Sequence, residues 1–164
     1  MKNAVPNKRD LVHKIIELLG QELEQMTRSA LAAHKEATHP ESQAEDRHDT
    51  RGLEASYLAG AQASRAKEIQ RLVQVFKFLH LPEYHDGDLI GPGALVELEL
   101  NERKSWYFLV PQGGGLTFQW EGKPVCVLTP QAPLGEALLG RAVGQKIEVE
   151  NKNLVREYQV VSLS

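Results

Sequence analysis

The spacing of apolar residues changes near residue 80 and divides the chain into two halves. In the first half, apolar or small residues recur in alternating steps of four and three, the heptad spacing of a helix with one apolar seam. From Asn7 to about Thr38 the seam comprises Val12, Ile16, Leu19, Leu23, Met26, Ala30, Ala33 and Ala37. From Arg51 to about Leu79 it comprises Ala55, Ala59, Gln62, Ala66, Ile69, Val73 and Phe76. The pattern predicts two helices that fold back as an antiparallel hairpin.

The size of the seam residues changes along the predicted hairpin. Large side chains such as Leu19 and Phe76 lie at its open end, and alanines such as Ala33 and Ala59 lie near its turn. Alanine seams allow close approach of two helices but bury little apolar area. We therefore expect a hairpin that tapers toward its tip and is least stable there.

After residue 88 the apolar period falls to two, which is typical of strands. Six short segments show it: Ala94–Leu100, Trp106–Val110, Leu116–Trp120, Val125–Thr129, Lys146–Glu150 and Arg156–Ser162. One helical interruption, Pro133–Gly140, begins with proline and ends with glycine. The predicted class is α+β, with an antiparallel two-helix coiled coil followed by a small antiparallel β domain carrying one short helix. The predicted parts are a hairpin over 1–80 with an acidic tip at about 39–54, a linker over 81–88 and the β domain over 89–164.

Composition narrows the possible functions. The net charge of −3 argues against a strong duplex DNA binder, which usually carries a high positive charge. The single cysteine, Cys126, excludes an internal disulfide and a cysteine zinc site. The sequence has neither a run of about 20 apolar residues nor the apolar core of a signal peptide, so we expect a cytoplasmic protein without a membrane association.

The segment Leu128–Gln145 resembles the C-terminal signature of the Gre family of bacterial transcription factors. Its letters LTPQAPLGEALLGRAVGQ follow that family's Ser/Thr-Pro-x-Ser-Pro-Leu/Ile-Gly run and Ala-Leu-Leu-Gly-Lys run, with Ala132 and Arg141 as mild departures. The resemblance implies an FKBP-like β domain that docks on RNA polymerase at the rim of its secondary channel. It also implies that the docking surface includes Pro130, Pro133, Leu134, Gly135 and Glu136.

The predicted tip departs further from the family, which carries an Asp-x-x-Glu pair there. Here Asp46 and Asp49 have the same three-residue step, with Glu45 and Glu41 nearby. The resemblance implies that Asp46 and Asp49 act catalytically by donating carboxylates to a Mg²⁺ ion shared with the polymerase active site, since Mg²⁺ prefers such oxygens. The alternative is that these acids are simply solvated.

Two arginines accompany the tip acids. Arg47 and Arg51 either contact phosphates of the nascent RNA 3′ end, because guanidinium groups match phosphate geometry, or neutralise the nearby carboxylates. His34, His39 and His48 do not show the spacing of a zinc site. No phosphate-binding glycine loop is present in the sequence, because Gly113–Gly115 lacks the lysine and the following helix that such loops need.

The resemblance implies a transcription elongation factor that is not itself an enzyme but stimulates the polymerase to cleave backtracked RNA. One alternative is a Gre-like inhibitor that occupies the channel without cleavage. Two others belong to different classes: an FKBP-like prolyl isomerase and a coiled-coil dimerisation module. Fold alone does not decide between these classes.

Overall fold

A computed structural model of the chain describes residues 5–37, 51–85, 87–151 and 154–164. The chain divides into two compact units, one of which contains Met1–Val12 together with Phe78–Ser164, and the other His13–Lys77. Residues 5–12 therefore belong to the same unit as the β domain, whereas the sequence predicts a hairpin over all of 1–80.

Two long helices match the two predicted ones. Helix α1 spans Lys8–Ala37 and helix α2 spans Arg51–Lys77. The first turn of α1 is capped by the side chain of Asn7, whose Oδ1 accepts a hydrogen bond from the Arg9 backbone N–H at 2.8 Å. Glu22 in α1 and Arg65 in α2 form an ion pair with an N–O distance of 2.9 Å. Further along α1, Leu31 borders the same groove as Ala59 of α2. Since the neighbouring position in α2 falls from Arg65 to Ala59 as the position in α1 rises from Glu22 to Leu31, the two helices are antiparallel.

The burial of side chains decreases along the hairpin, as its graded seam predicts. At the end near the helix termini Lys8 and Lys77, the large side chains of Ile15, Leu19, Ile69, Leu72 and Phe76 are buried. Further along, Ala30, Ala33 and Ala59 are exposed to solvent. Leu72, which lies outside the predicted seam, is more deeply buried than its seam neighbour Val73.

A surface groove follows the part of the hairpin where alanines lie. An apolar groove of about 330 Å³ runs between α1 and α2, lined by Met26, Thr27, Ala30, Leu31, Ala59, Gln62, Ala63 and Ala66. Alanine methyl groups are short, so they leave this groove between the two helices unfilled.

The β domain contains one six-stranded sheet and one short helix. The strands are β1 (Leu95–Leu100), β2 (Arg103–Leu109), β3 (Thr117–Trp120), β4 (Lys123–Leu128), β5 (Lys146–Asn151) and β6 (Leu154–Leu163), and helix α3 (Pro133–Leu138) precedes β5. All six predicted strands are present, which confirms the α+β class. Their order across the sheet is β3-β4-β2-β1-β6-β5.

The sheet is mixed, which corrects the expectation of a purely antiparallel one. Strands β2 and β4 pair in parallel, with Trp106 opposite Val125 and Leu109 opposite Leu128. The tight turn at Glu121 and Gly122, with φ of 47° and 81°, folds β4 back on β3. This hairpin places β4 rather than β3 next to β2, and β3 becomes an edge strand.

Helix α3 covers one face of the sheet and completes a hydrophobic core. This core contains Ile90, Ala94, Val96, Leu98, Leu109, Leu138, Ile147, Tyr158, Val160 and Leu163. We call the sheet surface that carries Leu98, Tyr158 and Val160 the α3 face. Leu138 is the fully buried contribution of α3 to this core, and the residues that flank it are the candidate site.

Candidate functional site

The signature segment, Leu128–Gln145, folds as a turn, the helix α3 and a second turn. The Ala132 N–H donates to the Thr129 carbonyl at 3.0 Å, which closes the first turn. No side chain caps α3, and Pro133 occupies its first turn, where a missing N–H costs little. The Glu136 N–H then donates to the Ala132 carbonyl at 2.9 Å, so the proline and the preceding turn together start the helix.

Gly135 is required by a close approach of the backbone. A Cβ atom at this position would lie 2.0 Å from the carbonyl oxygen of Thr129, far inside contact distance. Gly135 is buried, and Leu134 is half-buried and packs against the core. Two of the five predicted docking residues therefore shape and support the segment, whereas Pro133 and Glu136 are exposed and Pro130 is half-buried.

Backbone hydrogen bonds hold the second turn at both ends. The Gly140 N–H donates to the Ile90 carbonyl at 2.9 Å, and the Ile90 N–H donates to the Arg141 carbonyl at 2.7 Å. Further along, the Gly144 N–H donates to the Val160 carbonyl at 2.9 Å. The segment is thus joined to Ile90, just after the linker, on one side and to β6 on the other, which fixes the direction of its exposed side chains.

The exposed side chains form a mixed apolar and charged surface. It comprises Gln131, Pro133, Glu136, Leu139 and Arg141 of the signature segment, and we call it the α3 surface. Leu89, which is 62% exposed, lies next to this surface, because its chain neighbour Ile90 is hydrogen-bonded to Gly140 and Arg141. The sequence analysis did not select Leu89, Leu139 or Arg141. Leu139 follows the last residue of α3, so helical periodicity gives no direction for its side chain.

Lys8 is a second position that sequence reasoning missed. Its ammonium group donates to the carbonyl of Pro82 and, at 3.3 Å, to that of Gly93. The same group lies 5.2 Å from the centre of the Tyr84 ring, a cation–π distance. Burial lowers the pKa of Lys8, and the carboxylate of Glu83 partly opposes this effect. These contacts attach the first turn of α1 to the segment that leads into the β domain.

The predicted tip ligands lie outside the described residues. This applies to Glu41, Glu45, Asp46, Asp49 and Arg47, while Arg51 is the first residue of α2. In the described ranges, no three His, Cys, Asp or Glu side chains are grouped as a metal site would require. The donor type of the tip residues, carboxylate, suits Mg²⁺. No helix in the described part of the chain is long and apolar enough to cross a membrane.

Comparison with known proteins identifies relatives of one kind. The chain is 27% identical to the transcription elongation factor GreA of Thermotoga neapolitana over 150 residues, which cover 90% of this chain and 92% of that protein. Its match to GreA of Thermotoga maritima, also at 27% identity, covers 105 residues and 63% of each protein. No protein-family model matches the chain.

Solved structures of Gfh1 proteins are similar to this chain in sequence. Gfh1 of Thermus aquaticus is 26% identical, with 90% of this chain and 92% of that chain covered and a TM-score of 0.39. A TM-score this low does not establish a common fold, so the comparison depends on the sequence match. Over 90% of its length the chain is similar in sequence to a transcription elongation factor GreA, and this similarity supports a divergent Gre-family factor.

Proposed function

We propose that this chain binds RNA polymerase at its secondary channel, with the α3 surface as the docking contact. The observation that carries the proposal is the arrangement of the signature segment. Gly135 and Leu138 of α3 pack against the rest of the β domain. Pro133, Glu136 and Leu139 are exposed to solvent. A surface held by backbone hydrogen bonds at both ends loses little conformational freedom on binding, which favours affinity.

In this proposal the helical hairpin enters the channel and brings its tip to the polymerase active site. Helix α1 has 30 residues, which at about 1.5 Å per residue corresponds to roughly 45 Å. Its outer positions are polar, including Gln21, Glu24 and Arg28, so the hairpin tolerates a water-filled passage. The chain acts in the cytoplasm as a cofactor-like stimulator of the polymerase's own reaction, and contacts the nascent RNA only indirectly.

The proposed chemistry of the tip depends on carboxylates. Asp46 and Asp49 hold a Mg²⁺ ion that is shared with the polymerase, and Glu45 and Glu41 are the next candidates. When bound, this ion supports phosphodiester hydrolysis of backtracked RNA by two-metal chemistry. Arg47 and Arg51 orient phosphates of the RNA 3′ end or balance the charge of the acids.

The test is a stalled, backtracked elongation complex incubated with the protein and Mg²⁺ and scored for shortened RNA. Asp46→Asn and Asp49→Asn are each expected to reduce the cleavage rate by about tenfold or more, as outer metal ligands typically do, without weakening polymerase binding. The matched control is Glu24→Gln, which removes an exposed carboxylate from the side of α1, where Glu24 pairs with Arg28. Equal cleavage by all three variants would refute the assigned ligands.

A second candidate function is inhibition of the polymerase without cleavage. The departure of the tip from the family's Asp-x-x-Glu pair favours it. If the protein displaces a cleavage-competent Gre factor from the polymerase and yields no shortened RNA at any Mg²⁺ concentration, inhibition replaces stimulation as its function. The docking proposal would then remain, and only the chemistry of the tip would change.

A further inference from the structure

Strand β6 is longer than its neighbour β1, and part of its edge is therefore unpaired. Strand β1 runs into a tight turn at Asn101 and Glu102, whose φ angles are 50° and 63°, and the chain returns as β2. The pairing of β1 with β6 accordingly ends at Glu99 and Gln159. Over residues 154–158, β6 is paired with β5 on one side, and in the described strands β1 supplies no partner on the other side.

The backbone groups of Val155 and Glu157 point toward this unpaired side. In an antiparallel pair, successive residues direct their N–H and C=O groups alternately toward the partner strand and away from it. The Val160 N–H donates to the Gln145 carbonyl at 2.9 Å, so Val160 faces the β5 side. The register of β5 with β6 is continuous from this point to the start of β6. Glu157 and Val155, at odd-numbered steps from Val160, therefore face away from β5, and each offers a donor and an acceptor to an added strand.

A cleft of about 720 Å³ lies along the unpaired edge. Its lining comes from both faces of the sheet, as expected for a space beside a strand: Glu99, Leu100, Asn101, Lys146, Leu154, Val155, Arg156, Glu157 and Gln159. Leu154 and Val155 are 55% and 59% exposed. Exposed apolar edges pair readily with another strand, and native proteins usually protect them with charges, proline or a covering element. The cleft therefore suits one more strand beside β6.

The sheet face opposite α3 is acidic beside this edge. Glu157 lies across from Glu148 on that face, and Glu150 lies across from the next residue of β6 on the same face. Lys146 compensates Glu157, with 2.7 Å between the charged groups. Glu148 and Glu150 are exposed and form no ion pair within the described part of the chain. The excess negative charge favours basic side chains on this face of an added strand, because cross-strand pairs of opposite charge are stabilising.

The α3 face beside the same edge has the opposite character. It carries Leu154 and Arg156 of β6, and Leu100 lies on this face across the cleft. The guanidinium group of Arg156 repels basic side chains, whereas the two leucines provide contacts for apolar ones. Because the side chains of a strand alternate between the two faces, the complementary segment alternates basic and apolar residues.

We propose that residues 154–157 of β6 bind an extended segment of a partner protein as an additional antiparallel strand in which basic and apolar residues alternate. The backbone groups of Val155 and Glu157 bind the backbone of the segment, whose basic side chains lie on the acidic face and whose apolar side chains lie beside Leu154. In recognition of this kind, backbone hydrogen bonds give affinity and alternate side chains give specificity. This edge shares no residue with the α3 surface, so the proposal does not depend on polymerase docking.

The test uses the full-length protein without polymerase and a fluorescent peptide of alternating lysine and valine. Affinity is measured by fluorescence anisotropy at low salt. Residues across from Val155 and Glu157 are the lysines, so the lysine N–H groups face β6. Methylation of the lysine backbone nitrogens should weaken binding by about tenfold or more. The matched control is methylation of the valine backbone nitrogens, which face solvent. A peptide with glutamate in place of lysine should also bind about tenfold more weakly.

Variants of the protein test the same edge from the other side. Val155→Pro removes the N–H that faces the cleft and no hydrogen bond to β5, so β6 tolerates it, and it should weaken peptide binding by about tenfold. Val155→Lys leaves the backbone unchanged and places a like charge beside the basic peptide, which should weaken binding by about threefold. The matched control is Gln119→Lys, which adds the same charge to the exposed edge strand β3 and should change affinity less than about twofold.

Four results would overturn the proposal. The first is a lysine–valine peptide that does not bind at about 1 mM, and the second is equal binding of the lysine-methylated and unmodified peptides. The third is a glutamate peptide that binds as tightly as the lysine peptide. The fourth is unchanged affinity in Val155→Lys, which decides the matter even if Val155→Pro fails to fold. Sedimentation of the full-length protein tests a different occupant, because self-association that Val155→Lys abolishes would assign the edge to a second copy of the chain and overturn the proposal.

Discussion

The signature segment and the alanine-rich part of the hairpin differ in how their small residues are used. In the signature segment, Gly135 lies so close to the Thr129 carbonyl that no side chain fits. In the hairpin, a methyl group added at Gly60 would meet no described atom within 4 Å beyond its own stretch of helix, and Ala59 is exposed. Small residues thus fill a tight contact in one region and border an open groove in the other. A short side chain indicates close packing only where surrounding contacts enforce it.

The largest expected effect distinguishes the leucines of the two regions. Leu138 is fully buried in the core, whereas Leu31 in the groove is 58% exposed. Leu138→Ala should reduce the free energy of unfolding of the β domain by about 2–5 kcal/mol, because it removes buried apolar contacts and leaves a cavity. Leu31→Ala should change stability by no more than about 0.5 kcal/mol. Denaturant unfolding measures both, and equal losses would contradict the difference between the regions.

The next effect distinguishes the glycines. Gly135→Ala should destabilise the β domain by about 1–3 kcal/mol, because the added methyl group collides with backbone that cannot move aside easily. Gly60→Ala should instead stabilise the hairpin, by roughly 0.5–1 kcal/mol, since the methyl group meets open space and alanine is the better helix former. Thermal unfolding of the two variants would show opposite shifts in Tm. Shifts of the same sign would refute the comparison.

The smallest effect concerns the ion pair between the helices. Arg65 donates to Glu22 and to its helical neighbour Glu68, and these hydrogen bonds are the main reason that its pKa is raised. The Arg65 and Glu22 side chains are 40% and 37% exposed, so solvent screens the interaction. A double-mutant cycle with Arg65→Gln and Glu22→Gln should give a coupling free energy of about 0.2–1 kcal/mol that decreases with salt. A larger coupling free energy that does not change with salt would mean that Arg65 and Glu22 are better shielded from solvent than the structure shows.

Sequence periodicity predicts the two long helices and all six strands, because each buries one apolar face, and α3 is predicted by its starting proline and ending glycine. It did not predict the parallel pairing of β2 with β4, which depends on a tight turn that folds β4 between its neighbours. It also did not reveal the exposed alanines, because a heptad pattern records which residues face a partner helix but not how far away that helix lies. Lys8 was missed because its carbonyl partners, Pro82 and Gly93, are distant in sequence.

For the candidate site, the resemblance selected a segment and two of its exposed residues, Pro133 and Glu136, and the docking role of the segment stays a prediction. Gly135 and Leu138 belong to the signature segment, but both are buried and stabilise the fold. The side chains available to a partner, among them Leu139 and Arg141, became apparent only from the direction of α3. The assignment of Asp46 and Asp49 stays a prediction, because both lie outside the described residues.

The most direct test of the account is the affinity of the full-length protein for core RNA polymerase when the α3 surface is altered. Glu136→Arg reverses an exposed charge on α3, and Glu148→Arg makes the same change on the opposite face of the sheet. Both variants should unfold like the unaltered protein, within about 0.5 kcal/mol. We predict that Glu136→Arg weakens polymerase binding by about tenfold or more and that Glu148→Arg leaves it unchanged. Equal affinity of both variants and the unaltered protein would contradict docking through the α3 surface.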